Sequence, residues 1–228
     1  MKLFFLSKKV IIASFILSLS ILSSCSSMSS DALKVNNSSD KGTEIIVLIR
    51  HGEKPKKGLG QLSVVGLKRS LLLPEFFEKN FGKADFIFAP NPAVKHFENH
   101  GDRKWYCYVR PLATIQPTAI TLGLPVDTTL GLNDTEQLVN QLLRSKYRNS
   151  KIYIAWEHSR IVDIANQLIK KKHATDIIVP EWHSDNYNMV FVFKIEWNKP
   201  VGKQLSFKVM SESLNNLAEK KVNPAYLN

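Results

Sequence analysis

Four residues in this 228-residue sequence have the chemistry of an anion clamp: Arg50 and His51 side by side, Arg110 near the middle, and His158 further on. A guanidinium is planar, keeps its charge at any relevant pH and meets two phosphate oxygens with two parallel N–H groups. An imidazole is neutral in good part near pH 7, so it can serve as a nucleophile. Two arginines and two histidines brought into one dry pocket would match a phosphoryl group. Whether they meet depends on the elements that carry them. Ile45-Ile46-Val47-Leu48-Ile49 is an apolar run of strand length that stops at Arg50-His51-Gly52, which reads as a buried strand. Lys151-Ile152-Tyr153-Ile154-Ala155-Trp156 reads the same way and stops at Glu157-His158. Arg110-Pro111-Leu112-Ala113-Thr114 opens a helix that Gly123 ends. In open α/β sheets, ligands bind in the crevice beyond the carboxyl ends of the strands.

The other elements follow from periodicity and punctuation. Residues 62–71 form a helix with Ser63 as its amino cap, and Pro74 marks a kink or a restart. Residues 84–90 form a short strand. An irregular segment, 91–104, follows and holds His96, His100 and Arg103. Residues 105–109 are a strand or extended run, and 125–127 a short edge strand. Helices span 135–143 and 160–171, and terminal strands span 188–195 and 205–210. Strands alternating with helices of this length predict an α/β three-layer sandwich, a mainly parallel central sheet with helices on both faces. This domain is expected over residues 44–215, with a polar C-terminal tail over 216–228.

The first 24 residues pair three lysines (Lys2, Lys8, Lys9) with an apolar run from Val10 to Leu22, the parts of a secretory signal peptide. Leu22-Ser23-Ser24-Cys25 resembles the bacterial lipobox, in which the signal is cut before the cysteine and the new terminus is acylated. An uncleaved membrane anchor or a plain signal peptide is the alternative, but the run is short for a span of about 20 residues. Residues 25–43 then comprise a lipidated Cys25 and a small, polar, flexible tether. The expected location is the bacterial cell envelope, lipid-anchored and facing the periplasm or the exterior. Cys107, the second of two cysteines, would be left unpaired. A composition of 44% hydrophobic and 22% charged residues is that of a folded domain, and excludes a disordered or collagenous chain. The net charge of +11 suits anionic substrates or surfaces. No basic helix, zinc spacing or aromatic RNA-binding motif accompanies it, so nucleic acid is not an expected partner.

In its order of motifs the chain resembles the histidine phosphatase superfamily, which includes the phosphoglycerate mutases. The resemblance rests on Arg50-His51-Gly52, Leu62-Ser63-x-x-Gly66, Arg110-x-x-x-Thr114 and His158, and spans residues 45 to about 193. It implies that His51 is a nucleophile forming a phosphohistidine, with Arg50, Arg110 and His158 on the equatorial oxygens and no metal or other cofactor. The substrate would be a small phosphorylated molecule. Two features depart from the family. About twenty residues separate the second strand from Arg110, which implies an insertion. The acid that protonates the leaving group is also open: one branch places it directly after the second histidine, where Ser159 stands. The other supplies it from a loop, the region of Asp134 and Glu136. Glu157, Glu136 and Glu53 are the candidates, although strand alternation would turn Glu157 to the opposite face. Without an acid, good leaving groups such as acyl phosphates or phosphoramidates would be favoured. A catalytically silent phosphate-binding or scaffold lipoprotein of the same fold is the alternative function; a mutase is disfavoured outside the cytoplasm. His96, His100, His173 and His183 match no known metal-ligand set.

Overall fold

The side chains of Ile46, Val47, Leu48 and Ile49 are wholly buried, because β1 (Thr43–Arg50) runs through the middle of a sheet covered on both faces. The structure, a computed structural model, describes residues 42–99 and 101–220. The leader, Cys25, nearly all of the tether and His100 lie outside them. β1 pairs in parallel with β6 (Lys151–Trp156) and antiparallel with β7 (Met189–Glu196). β2 (Phe86–Phe88) and β5 (Val126–Asp127) extend the parallel side, and β8 (Leu205–Ser211) closes the antiparallel side. The order is β5-β2-β6-β1-β7-β8.

Alternation along β1 assigns its residues to two cores. Val47 and Ile49 face a layer built by α1 (Val64–Phe81) and α2 (Arg110–Leu122), through Leu73, Phe77, Ile115 and Ala119. Ile46 and Leu48 face α3 (Thr135–Leu142) and α4 (His158–Lys171), through Leu138, Leu142, Ile161, Ile164 and Leu168. The fold is therefore a three-layer α/β sandwich with a mainly parallel sheet.

Three local differences from the sequence pattern have physical reasons. Pro74 neither stops nor restarts its helix; α1 continues to Phe81, and buried Leu73, Phe76 and Phe77 offset the missing N–H. The segment 91–104 is not wholly irregular. It contains β3 (Lys95–Phe97), which pairs antiparallel with β4 (Trp105–Cys107) and packs Phe97 on Trp105 at 5.5 Å between ring centroids. Beyond β8, a short helix, α5 (Asn215–Lys220), lies largely in the stretch read as polar tail; Ala218 within it and Leu214 just before it are buried.

Glu44 is an unusual resident of β1. Its side chain is fully buried, with Oε2 accepting from Trp197 Nε1 at 3.0 Å and Oε1 without a hydrogen-bond partner among the described residues. Burial pushes its carboxyl up to about 8, against the opposing pull of the Trp197 hydrogen bond and of nearby Lys172 and Arg148. The folded state then holds a proton that the unfolded chain releases near the ordinary value of 4.5. Stability from this group is full below that pH and is lost as pH rises toward 8. Glu44→Gln is expected to flatten this fall, measured as urea midpoints between pH 5 and pH 8. An unchanged slope would show that Glu44 is ionised in the fold.

Candidate active site

Register brings the first predicted residues together. β1 and β6 pair in parallel with Arg50 opposite Trp156, and His51 N donates to Trp156 O at 2.9 Å. His158, two residues past the end of β6, therefore stands beside Arg50 and His51 at the carboxyl edge of the sheet. The chain then crosses the start of α1 at Gly52, where both partners must be glycine. A Cβ on Gly52 would lie 2.9 Å from Gly66 O, and one on Gly66 would lie 2.4 Å from Glu53 O. Ser63 caps α1 by accepting from Gly66 N at 3.1 Å.

Arg110 arrives on the first turn of α2. The N–H groups of Val109 and Arg110 both donate to Gly60 O, at 2.9 and 3.0 Å, which settles backbone donors that no side chain caps. Thr114, one turn on, is the tie to the nucleophile loop. Its Oγ1 accepts from Gly52 N at 2.9 Å and donates to Arg110 O at 2.8 Å. The Arg110 guanidinium lies over the Tyr108 ring at 4.6 Å and pairs with Glu98.

All four residues, Arg50, His51, Arg110 and His158, line one cavity of about 430 Å³. His51 is buried, with its ring edge-on to Tyr108 and Tyr187. Its Nδ1 lies 2.7 Å from Gly52 O. A carbonyl can only accept, so Nδ1 carries the hydrogen and Nε2 keeps its lone pair. Burial, then Arg110 and Arg50, hold the His51 pKa well below 6.5, so the ring is neutral at neutral pH. Arg50 donates to Ser184 O at 2.6 Å and Asn186 O at 3.2 Å and stacks on Tyr187 at 4.0 Å. His158 meets Trp182 O through Nδ1 at 3.0 Å and Glu157 Oε1 through Nε2 at 2.9 Å.

The candidate acids separate. Glu157 lines the cavity and is not turned away, because the strand ends at Trp156 and Glu157 is the amino cap of α4. Its carboxylate accepts from Ser159 Oγ at 2.5 Å and Arg160 N at 3.1 Å, besides pairing with His158. Burial opposes ionisation, but these partners win and hold its pKa well below the usual range. Glu136 is exposed on α3 and pairs with Lys171, away from the cavity. Glu53 points to Arg69 beneath α1 and is not a cavity residue. Asp134 accepts from Gly131 N at 2.8 Å and lies outside it too.

The cavity also contains Glu98, Tyr108 and Lys54, which no sequence pattern singles out, together with His96 from the 91–104 segment. Glu98 comes from the β3–β4 hairpin and is 2% exposed. Of the remaining histidines, His183 is exposed near Glu181, and His173 is exposed at the end of α4. Among the described residues, no cluster of three or more His, Cys, Asp or Glu side chains could hold a metal ion. Cys107 is exposed and free.

No protein-family model matches this sequence, and no curated protein is similar to it. Several solved structures are similar to this chain. One, described as mycobacterial hydrolase 2, has a TM-score of 0.49 at 11% identity over 80% of this chain and 99% of its own. The mycobacterial glucosyl-3-phosphoglycerate phosphatase with inorganic phosphate scores 0.46 at 11% identity, over 73% and 95%. Phosphoglycerate mutase from Bacillus anthracis scores 0.44 at 10% identity, over 79% and 98%.

Proposed function

We propose that this chain is a phosphatase of the histidine phosphatase type, hydrolysing a small phosphorylated substrate through a phosphohistidine on His51. The observation that supports this best is a neutral, buried imidazole whose Nε2 makes no hydrogen bond among the described residues, in the cavity that also receives Arg50, Arg110 and His158. In this reading Nε2 attacks phosphorus, the leaving-group oxygen departs opposite it, and water later displaces the phosphoryl group. One difficult displacement becomes two easier ones. Arg50, Arg110 and His158 bind the equatorial oxygens and stabilise the charge spread over them. The guanidiniums supply the neutralisation that a metal would otherwise provide. The leader, Cys25 and the polar segment behind it support a lipid tether to the bacterial cell envelope.

One observation favours a second reading. Glu98 sits on Arg110 and Glu157 on His158, so both already have a carboxylate partner. A phosphate-binding or scaffold protein without turnover would tolerate that arrangement. Turnover separates the two. Purified protein is expected to hydrolyse p-nitrophenyl phosphate without added metal and to keep its rate in EDTA. Loss of the rate in EDTA contradicts the mechanism, and no turnover across a broad phosphate-ester panel favours the binding reading.

A further inference from the structure

We propose that Glu98, brought into the cavity by the β3–β4 hairpin, is the proton donor to the leaving group, and that the arriving phosphoryl group is what protonates it. This rests on the phosphatase reading above. Glu98 Oε1 accepts from Gly60 N at 3.2 Å and pairs with Arg110. Its Oε2 makes no hydrogen bond among the described residues and abuts Gly58, where a Cβ would stand 2.6 Å away. Gly58 has φ +78°, a backbone conformation that favours glycine. The groups facing this carboxyl are Arg110 on α2, Lys54 after β1, His96 on β3, and Tyr106 and Tyr108 at β4. The other cavity carboxylate, Glu157, is committed to His158, Ser159 and the Arg160 amide, which favour its charged form.

A phosphoryl group bound to Arg110 brings its oxygens to the guanidinium that already holds Glu98. Like charges at that separation favour a proton on the carboxyl, supplied by the substrate monoanion or by solvent. Glu98 then offers an O–H to the substrate instead of repelling it. In the first step His51 Nε2 forms a bond to phosphorus, the phosphorus–oxygen ester bond breaks, and the Glu98 proton passes to the departing oxygen. In the second step a water oxygen bonds to phosphorus as the phosphorus–nitrogen bond breaks, both water protons leave with orthophosphate, and His51 recovers its Nε2 lone pair; the next substrate brings the proton for Glu98.

The test is leaving-group dependence. p-Nitrophenolate departs without a proton, whereas an alkoxide such as that of glycerol phosphate does not. Glu98→Gln keeps the shape of the side chain. It is expected to slow glycerol phosphate turnover by about 10²–10⁴-fold while p-nitrophenyl phosphate stays within about tenfold of wild type. The p-nitrophenyl rate doubles as the check that the variant is folded; should it not fold, Glu98→Asp is expected to show the same selective loss in smaller measure. Equal losses on both esters overturn the assignment. So does unimpaired glycerol phosphate turnover with tighter inhibition by inorganic phosphate, which would make Glu98 only an occupant of Arg110. If wild type hydrolyses neither ester, the phosphatase reading falls and this one with it.

Discussion

His51→Ala is expected to lower p-nitrophenyl phosphate turnover by about 10⁴-fold or more, with the far-UV circular dichroism of the protein retained. Removing the nucleophile of a covalent mechanism eliminates the pathway, and comparable deletions in other enzymes cost up to about 10⁶-fold. Arg110→Ala removes one of several charge donors and is expected to cost less, about 10²–10³-fold. The order of the two effects carries the information, since a merely structural histidine would not outweigh a clamp arginine. The same account fixes a pH dependence. A histidine with a lowered pKa stays neutral until the pH falls well below 6.5. The acid limb of kcat/KM attributable to the enzyme is therefore expected below pH 6.5, and a limb at or above that value would show an ordinary, solvated imidazole. A His51→Ala protein with more than a tenth of wild-type turnover would exclude His51 as the nucleophile.

The second large effect concerns the fold that supports the site. Arg69 on α1 has no solvent exposure and ties four segments together. Nη2 meets Glu53 Oε1 at 2.6 Å, Nη1 meets Glu212 Oε2 at 2.6 Å and Asn188 Oδ1 at 2.9 Å, and Asn215 takes a further bond. Glu53 follows the nucleophile loop, Asn188 precedes β7, Glu212 follows β8, and Asn215 begins α5. Arg69→Met keeps much of the volume but leaves two carboxylates without their cation, which costs about 3–5 kcal/mol in buried pairs of this kind. Urea unfolding is expected to show that loss as a lower midpoint with an unchanged m-value. Glu212 adds a pH signature. Burial, against the pull of Arg69, pushes its carboxyl up to about 7, so the folded state holds a proton that the unfolded chain gives up near 4.5. Its stabilising contribution is full below 4.5 and lost as pH rises through 7. Without Arg69 the buried carboxylate is harder still to charge, so the deficit of Arg69→Met is expected to be larger at pH 8 than at pH 5. A deficit under about 1 kcal/mol at pH 8 would mean that these ions are solvated.

Arg50, His51, Arg110 and His158 were legible in the sequence because each sits at the end or start of a strongly patterned element. Apolar runs of strand length define β1 and β6, and once they pair in parallel their last residues must fall side by side. Gly52, Gly66 and Thr114 belong to the same legible set, since close backbone approach and a helix-turn hydroxyl leave marks at fixed spacing. Glu98 left no such mark. It directly follows a three-residue strand that pairs with another of three residues, where neither period 2 nor period 3.6 persists long enough to show a face. Its partner, Arg110, is twelve residues away, and only the folded hairpin brings them together. Glu157 shows the opposite failure. Extending strand alternation one residue past Trp156 pointed it away from the site, whereas the backbone turns there and makes it a helix cap. At Pro74, too, the local rule about a missing N–H yields to the burial of Leu73, Phe76 and Phe77.

The most direct test of the central claim is to trap the intermediate. Protein quenched during turnover of a 32P-labelled phosphomonoester is expected to carry a phosphoryl group on His51, labile in acid and stable in base, as a phosphorus–nitrogen bond requires. The label should be absent from His51→Ala and should chase off with unlabelled substrate. Turnover without any protein-bound phosphate, or a label on a residue other than His51, would contradict the account.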